Sequence, residues 1–317
     1  ESDIRLDLTS NKYSTLSYID RINNVFEGHA RVFSIQENEP VLKHLGKYVI
    51  VDPDVLSLSE KIRKNLRLEQ PNDWHAVLCS DLPSSVEKID SLSYKSLQYT
   101  ELQALRQISL EKGLCLPKVL SSNAIWLFEN EIGNKEVCFQ ERGANLSVYS
   151  SLFHTIGGAL EPPMIWEKRT SGGDIAFIQT AIREFQEEVF SNLCSFSERE
   201  VYDPSNSNKP RFILVEEVQT GFVQCVFLGL KLPSFFYENR KPNWEGIIHL
   251  VDSNGLYDLL SMTEKWTPTG LLHFYCWLAF GAFGFPDLEP ISISLLESLL
   301  RNFSVGSLQG PKIYTDS

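Results

Sequence analysis

The sequence predicts an α/β protein in two parts: a small α/β unit over residues 1–118 and a larger, strand-rich unit over 119–317. Three features carry that expectation. Short apolar runs of strand length alternate with amphipathic stretches of helical period along the chain. Beyond LPKVLSSN, around Pro117, strand signals become frequent and closely spaced. Two late helices then stand out, one acidic (ending at Phe190) and one almost wholly apolar (within Gly270 to Phe285). With 317 residues, 43% apolar and 22% charged, the chain can bury a substantial core.

In the first unit, KYVIVD (Lys47 to Asp52) reads as a strand ending at the DPD turn. LSLSEKIRKNLRL reads as an amphipathic helix with Ser57 or Ser59 as its cap. WHAVLCS is a further strand, and YTELQALRQISLEKGL a helix stopped by Gly113. In the second unit, AIWLFE and KEVCFQER form a hairpin across a Gly-Asn turn. SVYSSLFHTIGG runs into a glycine pair. The loop EPPMIWEKRTSGG then leads to the acidic helix, with Asp174 as N-cap. RFILVEEVQ and FVQCVFLGLKL are strands, GIIHLVDSNGLYDLL follows, and Pro268 opens the apolar helix. That helix is too short for a bilayer and contains His273, so it is expected inside a core, with no membrane partner.

The net charge of −12 is uneven: 15 basic and 17 acidic residues up to residue 120, then 14 and 24. Such a field repels nucleic-acid polymers and anionic lipids, but admits a small anion brought in with a cation. The six cysteines (Cys79, Cys115, Cys138, Cys194, Cys225, Cys276) form no CxxC. Their isolated, mostly apolar settings argue against zinc and for reduced thiols in the cytoplasm. ESDIRLDLTS has no signal-peptide core.

The stretch AIREFQEEVF concentrates Arg183, Glu184, Glu187 and Glu188. At about 100° per residue, Glu184 at 0° puts Glu188 near +40° and Glu187 near −60°, an arc of roughly 100°. Ile178, Ala181, Ile182, Phe185 and Val189 fall to the other side, and Arg183 can pair with Glu187 one turn on. An ordinary solvated face satisfies this pattern. So does a cation site, since Glu184 and Glu188 repel at i,i+4 and a divalent ion removes the repulsion. Three carboxylates on one rigid helix suit Mg²⁺, with Mn²⁺ as a substitute.

With Gly157-Gly158 upstream, the chain resembles the Nudix hydrolase superfamily, whose signature is Gx5Ex7REUxEExGU with U apolar. REFQEE (Arg183 to Glu188) fits the second half of that signature, and TIGGALEP resembles its glycine-rich start. CFQER resembles the basic strand before it, and WEGIIHLVDSNGLYDLL and WTPTG resemble the closing elements. Gly158 to Arg183 spans 25 positions where the signature has 14, no clean counterpart exists for its first glutamate, and Phe190 replaces its last glycine. The resemblance covers about 120–290. The long inner loop and separate N-terminal unit are similar to the animal branch of the family that cleaves UDP-glucose.

The resemblance implies a Nudix-type α-β-α sandwich with a mixed sheet, plus the smaller N-terminal α/β domain. It implies Mg²⁺-dependent hydrolysis of a nucleoside diphosphate linked to another moiety, of nucleotide-sugar or ADP-ribose type. Glu184, Glu187, Glu188 and the Gly158 carbonyl would hold the metal. Arg183 would orient the carboxylates, and Glu184, Glu188 or Glu245 would serve in catalysis, Glu245 as a base, with Glu216 and Glu217 as further candidates. Arg142, Gly157 and Gly158 would meet substrate. A homodimer is left open. The alternative is a catalytically silent nucleotide sensor signalling through the N-terminal domain.

Overall fold

A computed structural model describes residues 15–36, 120–129, 132–144, 149–159, 177–190, 201, 211–218, 223–232, 246–282, 284–285, 287–303 and 308. The elements expected over 47–113, and Asp174 and Glu245, lie outside the described residues.

Among the described residues, eight strands make one sheet. They are β1 (Ala30–Gln36), β2 (Leu120–Glu129), β3 (Lys135–Arg142), β4 (Phe153–His154), β5 (Ile156–Ala159), β6 (Arg211–Glu217), β7 (Val223–Leu232) and β8 (Gly246–Val251). The order is β1-β6-β7-β2-β3-β4, with β5 also on β2 and β8 also on β3. All pairings are antiparallel except β2 with β7, so the sheet is mixed. Gly133 takes φ +84 in the turn joining β2 to β3, a conformation that favours glycine over any L side chain.

Strand alternation sorts the core into two clusters. Ile125, Leu127, Val137, Phe139, Val215 and Val226 face one layer of helices: α1 (15–25), α3 (Ser253–Ser261), α4 (Pro268–Ala279) and α5 (Ser292–Asn302). Ala124, Trp126, Phe128, Cys138, Leu214 and Phe227 face the other way, towards α2 (Phe177–Phe190). The molecule is thus an α/β sandwich with a mixed sheet in the middle, as expected. The segment 15–36, on the N-terminal side of the boundary placed near Pro117, adds a helix and an edge strand to this same sheet and core.

Local chemistry explains the helices. Pro268 sits in the first turn of α4, where its missing N–H costs nothing, and the Thr267 hydroxyl accepts from the Gly270 N–H at 3.0 Å. Every residue of α4 is buried, as its near-continuous apolar sequence anticipates. Asp252 caps α3 through the Asn254 and Gly255 N–H groups. The thiols of Cys138, Cys225 and Cys276 are buried. No described helix is long and apolar enough to cross a membrane.

Candidate active site

The site forms where the sheet splits. β2 pairs with β3 through Trp126 to Glu129, then parts from it. Its first half continues against β5, with Asn123 opposite Gly157 and Ser122 opposite Gly158, while β3 continues against β4. The glycine pair therefore lies at the fork.

Helix α2 docks over that fork. Phe185 packs on Trp126 with ring centroids 4.3 Å apart, and Ala181, Ile178 and Val189 are buried around it. This docking sets the three glutamates apart by exposure. Glu188 is buried, at 7% exposed. The side chain of Glu184 is 15% exposed and that of Glu187 48%. The wheel explains the ranking, because Glu188 borders the apolar side and Glu187 lies furthest from it.

Glu184 reaches the glycine pair. A Cβ built on Gly158 would come within 2.3–2.6 Å of the Glu184 carboxylate atoms, so glycine lets that carboxylate rest against the strand backbone without shifting. Gly157 is constrained more firmly on the opposite face, where an added Cβ would meet the Ser122 carbonyl oxygen and the Asn123 backbone and side chain. Arg183 binds two of the carboxylates: one guanidinium nitrogen donates to Glu184 Oε1 at 2.6 Å and the other to Glu187 Oε2 at 3.1 Å. The expected Arg183–Glu187 pair is present, and Glu184 shares the same arginine.

Arg142 ends β3 at this end of the sheet and lies close enough to His154 that its charge opposes protonation of the imidazole. Burial is the larger cause, and together they hold the His154 pKa well below the ordinary histidine value. His154 Nδ1 and the Thr267 hydroxyl are 2.6 Å apart, and Thr155 joins His273 Nδ1 at 2.8 Å. Glu216 and Glu217 are both buried and both held, Glu216 by Arg31 at 2.7 Å and Glu217 by the Tyr149 hydroxyl. Among the described residues, no three His, Cys, Asp or Glu side chains are gathered as a metal-ligand group.

No family model matches the chain, and no curated protein does. Among solved structures it is similar to the MutT protein from Methanosarcina mazei Go1, at 16% identity and TM-score 0.31, over 52% of this chain and 96% of that one. It is also similar to C. elegans Ap4A hydrolase, at 13% identity and TM-score 0.28, over 51% and 98% of the two chains. A third match is the Nudix hydrolase RenU from M. smegmatis, at 11% identity and TM-score 0.28, over 55% and 86%.

The REFQEE segment of α2 (Arg183 to Glu188) and the glycine pair meet in space, although 25 positions separate Gly158 from Arg183. What the site can do follows from its own residues. Sequence reasoning missed the polar start of β2, where buried Ser122 and Asn123 precede the apolar run Ala124 to Phe128. Asn123 Nδ2 donates to Gln224 Oε1 at 3.2 Å. The available signal was a polar doublet at the head of an otherwise apolar strand.

Proposed function

We propose that this chain is a Nudix-type hydrolase that cleaves the diphosphate bond of a nucleoside diphosphate linked to another moiety, with Mg²⁺ as its cofactor. The observation that carries this reading is the Glu184 carboxylate packed on the backbone of Gly158. The donor chemistry suits Mg²⁺: Glu184 and Glu188 are hard oxygen donors one helical turn apart, both largely withdrawn from water, and like charges so placed repel without a cation. Glu184, Glu188 and the Gly158 carbonyl would hold the ion, with Glu187 as the third carboxylate. A bound Mg²⁺ supplies charge neutralisation at phosphate oxygens and lowers the pKa of water.

The chain's own groups do the rest. Arg183 fixes the rotamers of Glu184 and Glu187 through charge-assisted bonds. Gly158 admits the carboxylate to the strand. Arg142 supplies positive charge at the same end of the sheet for a phosphate oxygen. Glu245 stands as the base this reading assigns. The substrate class favoured is nucleotide-sugar or ADP-ribose type.

One observation favours the silent binding module instead: the carboxylates are not gathered as a ligand group among the described residues, and Glu187 is engaged by Arg183. A single experiment separates the two. Product release is measured on ADP-ribose and UDP-glucose with Mg²⁺ for the native chain and Glu188→Gln, with mass spectrometry locating the attacked phosphorus. Hydrolysis by the native chain that drops at least about 100-fold in the variant supports the enzyme. Equal inactivity, with either nucleotide still raising Tm, supports the binding module.

A further inference from the structure

We infer that Ser122 is a positioning residue of the cation site, its hydroxyl holding a water between itself and the Glu184 carboxylate; this rests on the reading proposed above. Ser122 is fully buried, and its Oγ has no hydrogen-bond partner among the described residues. It stands opposite Gly158 in the β2–β5 ladder, and strand alternation places it on the α2 face with Ala124 and Trp126. Opposed residues on one face hold their Cβ positions about 4.5–5.5 Å apart. A Cβ built on Gly158 lies only 2.3–2.6 Å from the Glu184 carboxylate atoms. The Ser122 hydroxyl and that carboxylate are therefore separated by roughly the span that one bridging water covers.

The setting makes the hydroxyl hard to explain by packing. The five residues after Asn123, Ala124 to Phe128, are apolar and buried, and an unsatisfied hydroxyl in such a core destabilises the fold. A serine hydroxyl both donates and accepts, so it can orient a water towards an ion while adding no charge to an already acidic site. Partners of this kind, one step removed from a metal, tune its affinity by about 10–100-fold. Asn123 cannot take the role, because its side chain leaves the strand on the other face, against Gln224.

The test uses the full chain without substrate. Mn²⁺ affinity is measured by electron paramagnetic resonance of the free ion, and Tm is recorded with and without Mn²⁺, for the native chain, Ser122→Ala and Ser122→Thr. Ser122→Ala is expected to bind Mn²⁺ about 10–100-fold more weakly while its metal-free Tm stays level or rises, since an unsatisfied buried hydroxyl is gone. Ser122→Thr keeps the hydroxyl and is expected to retain affinity within a few-fold. Equal Mn²⁺ affinity in the native chain and Ser122→Ala overturns the role of Ser122 and leaves the cation site standing. A metal-free Tm that falls in Ser122→Ala, with Mn²⁺ affinity lost in Ser122→Thr as well, marks Ser122 as a packing residue and also overturns it. Failure of the native chain to bind Mn²⁺ overturns the cation reading of Glu184 and Glu188 itself.

Discussion

At the scale of single residues, the contact between Gly158 and Glu184 makes a sharp prediction. Gly158→Ala places a methyl on the carboxylate and is expected to destabilise by about 1–3 kcal/mol through overpacking. In a Glu184→Ala background the collision disappears, so a denaturation cycle should return a coupling of about 0.5–3 kcal/mol. Gly133→Ala is the control: its φ of +84 makes alanine costly, yet nothing lies within 4 Å of the added Cβ, so its cost should not depend on Glu184. A second residue-scale prediction concerns acid. Burial pushes the His273 pKa down to about 3 from an ordinary 6.5. Between those values the unfolded chain binds the extra proton, so stability falls as pH drops from about 6.5 towards 3, by up to about 1.4 kcal/mol per unit. Buried His154 acts in the same direction. His273→Gln should flatten the acid limb of a Tm–pH curve between about pH 6.5 and 4; an unaltered slope would remove His273 from the account.

At the scale of elements, α2 holds its glutamates in place only as well as its apolar face grips the sheet. Phe185 touches both Trp126 and Phe128, with centroids 4.3 and 6.2 Å away. Phe185→Ala is expected to cost about 3–5 kcal/mol in urea unfolding and to weaken any Mg²⁺-dependent stabilisation with it. Loss of stability with cation response intact would uncouple the helix from the site. The apolar face of α2 was legible in the sequence because period and chemistry agree at Ile178, Ala181, Phe185 and Val189. The strands Lys135–Arg142, Arg211–Glu217 and Val223–Leu232 and the start of α4 at Pro268 were legible for the same reason. Strand β1 was not: Arg31 and Phe33 are exposed, and a register shift between Val32 and Ser34 breaks its alternation. Helix α5 begins at Ser292 behind Ile291, an N-cap residue that makes no side-chain capping bond, so no local signal announces it. Ser122 became visible as a candidate only once β5 was seen beside it.

At the scale of the whole molecule, the first described segment is part of the core. Ile19, Ile22 and Phe26 are buried, Phe26 meets Tyr275 of α4 edge-on at 5.7 Å, and β1 covers the outer side of β6. Removing residues 1–36 is expected to bare the β6 edge and give an aggregating product without a cooperative melt. A soluble, cooperatively melting product would show that the remaining sheet suffices. The exposed clip between Arg21 and Glu297 is a different matter: its bidentate contact lies in water, and Arg21→Gln should change stability by less than about 1 kcal/mol.

The parallel pairing of β2 with β7 joins Leu120–Phe128 to Val223–Leu232, and β1 finds its partner only at Phe212–Glu217. On a ribosome adding about 5–20 residues per second, β2 leaves the exit tunnel on the order of 10 s before its parallel neighbour β7 exists. The edge strand waits longer still. Nascent chains of this protein therefore carry these strands without those partners throughout that interval.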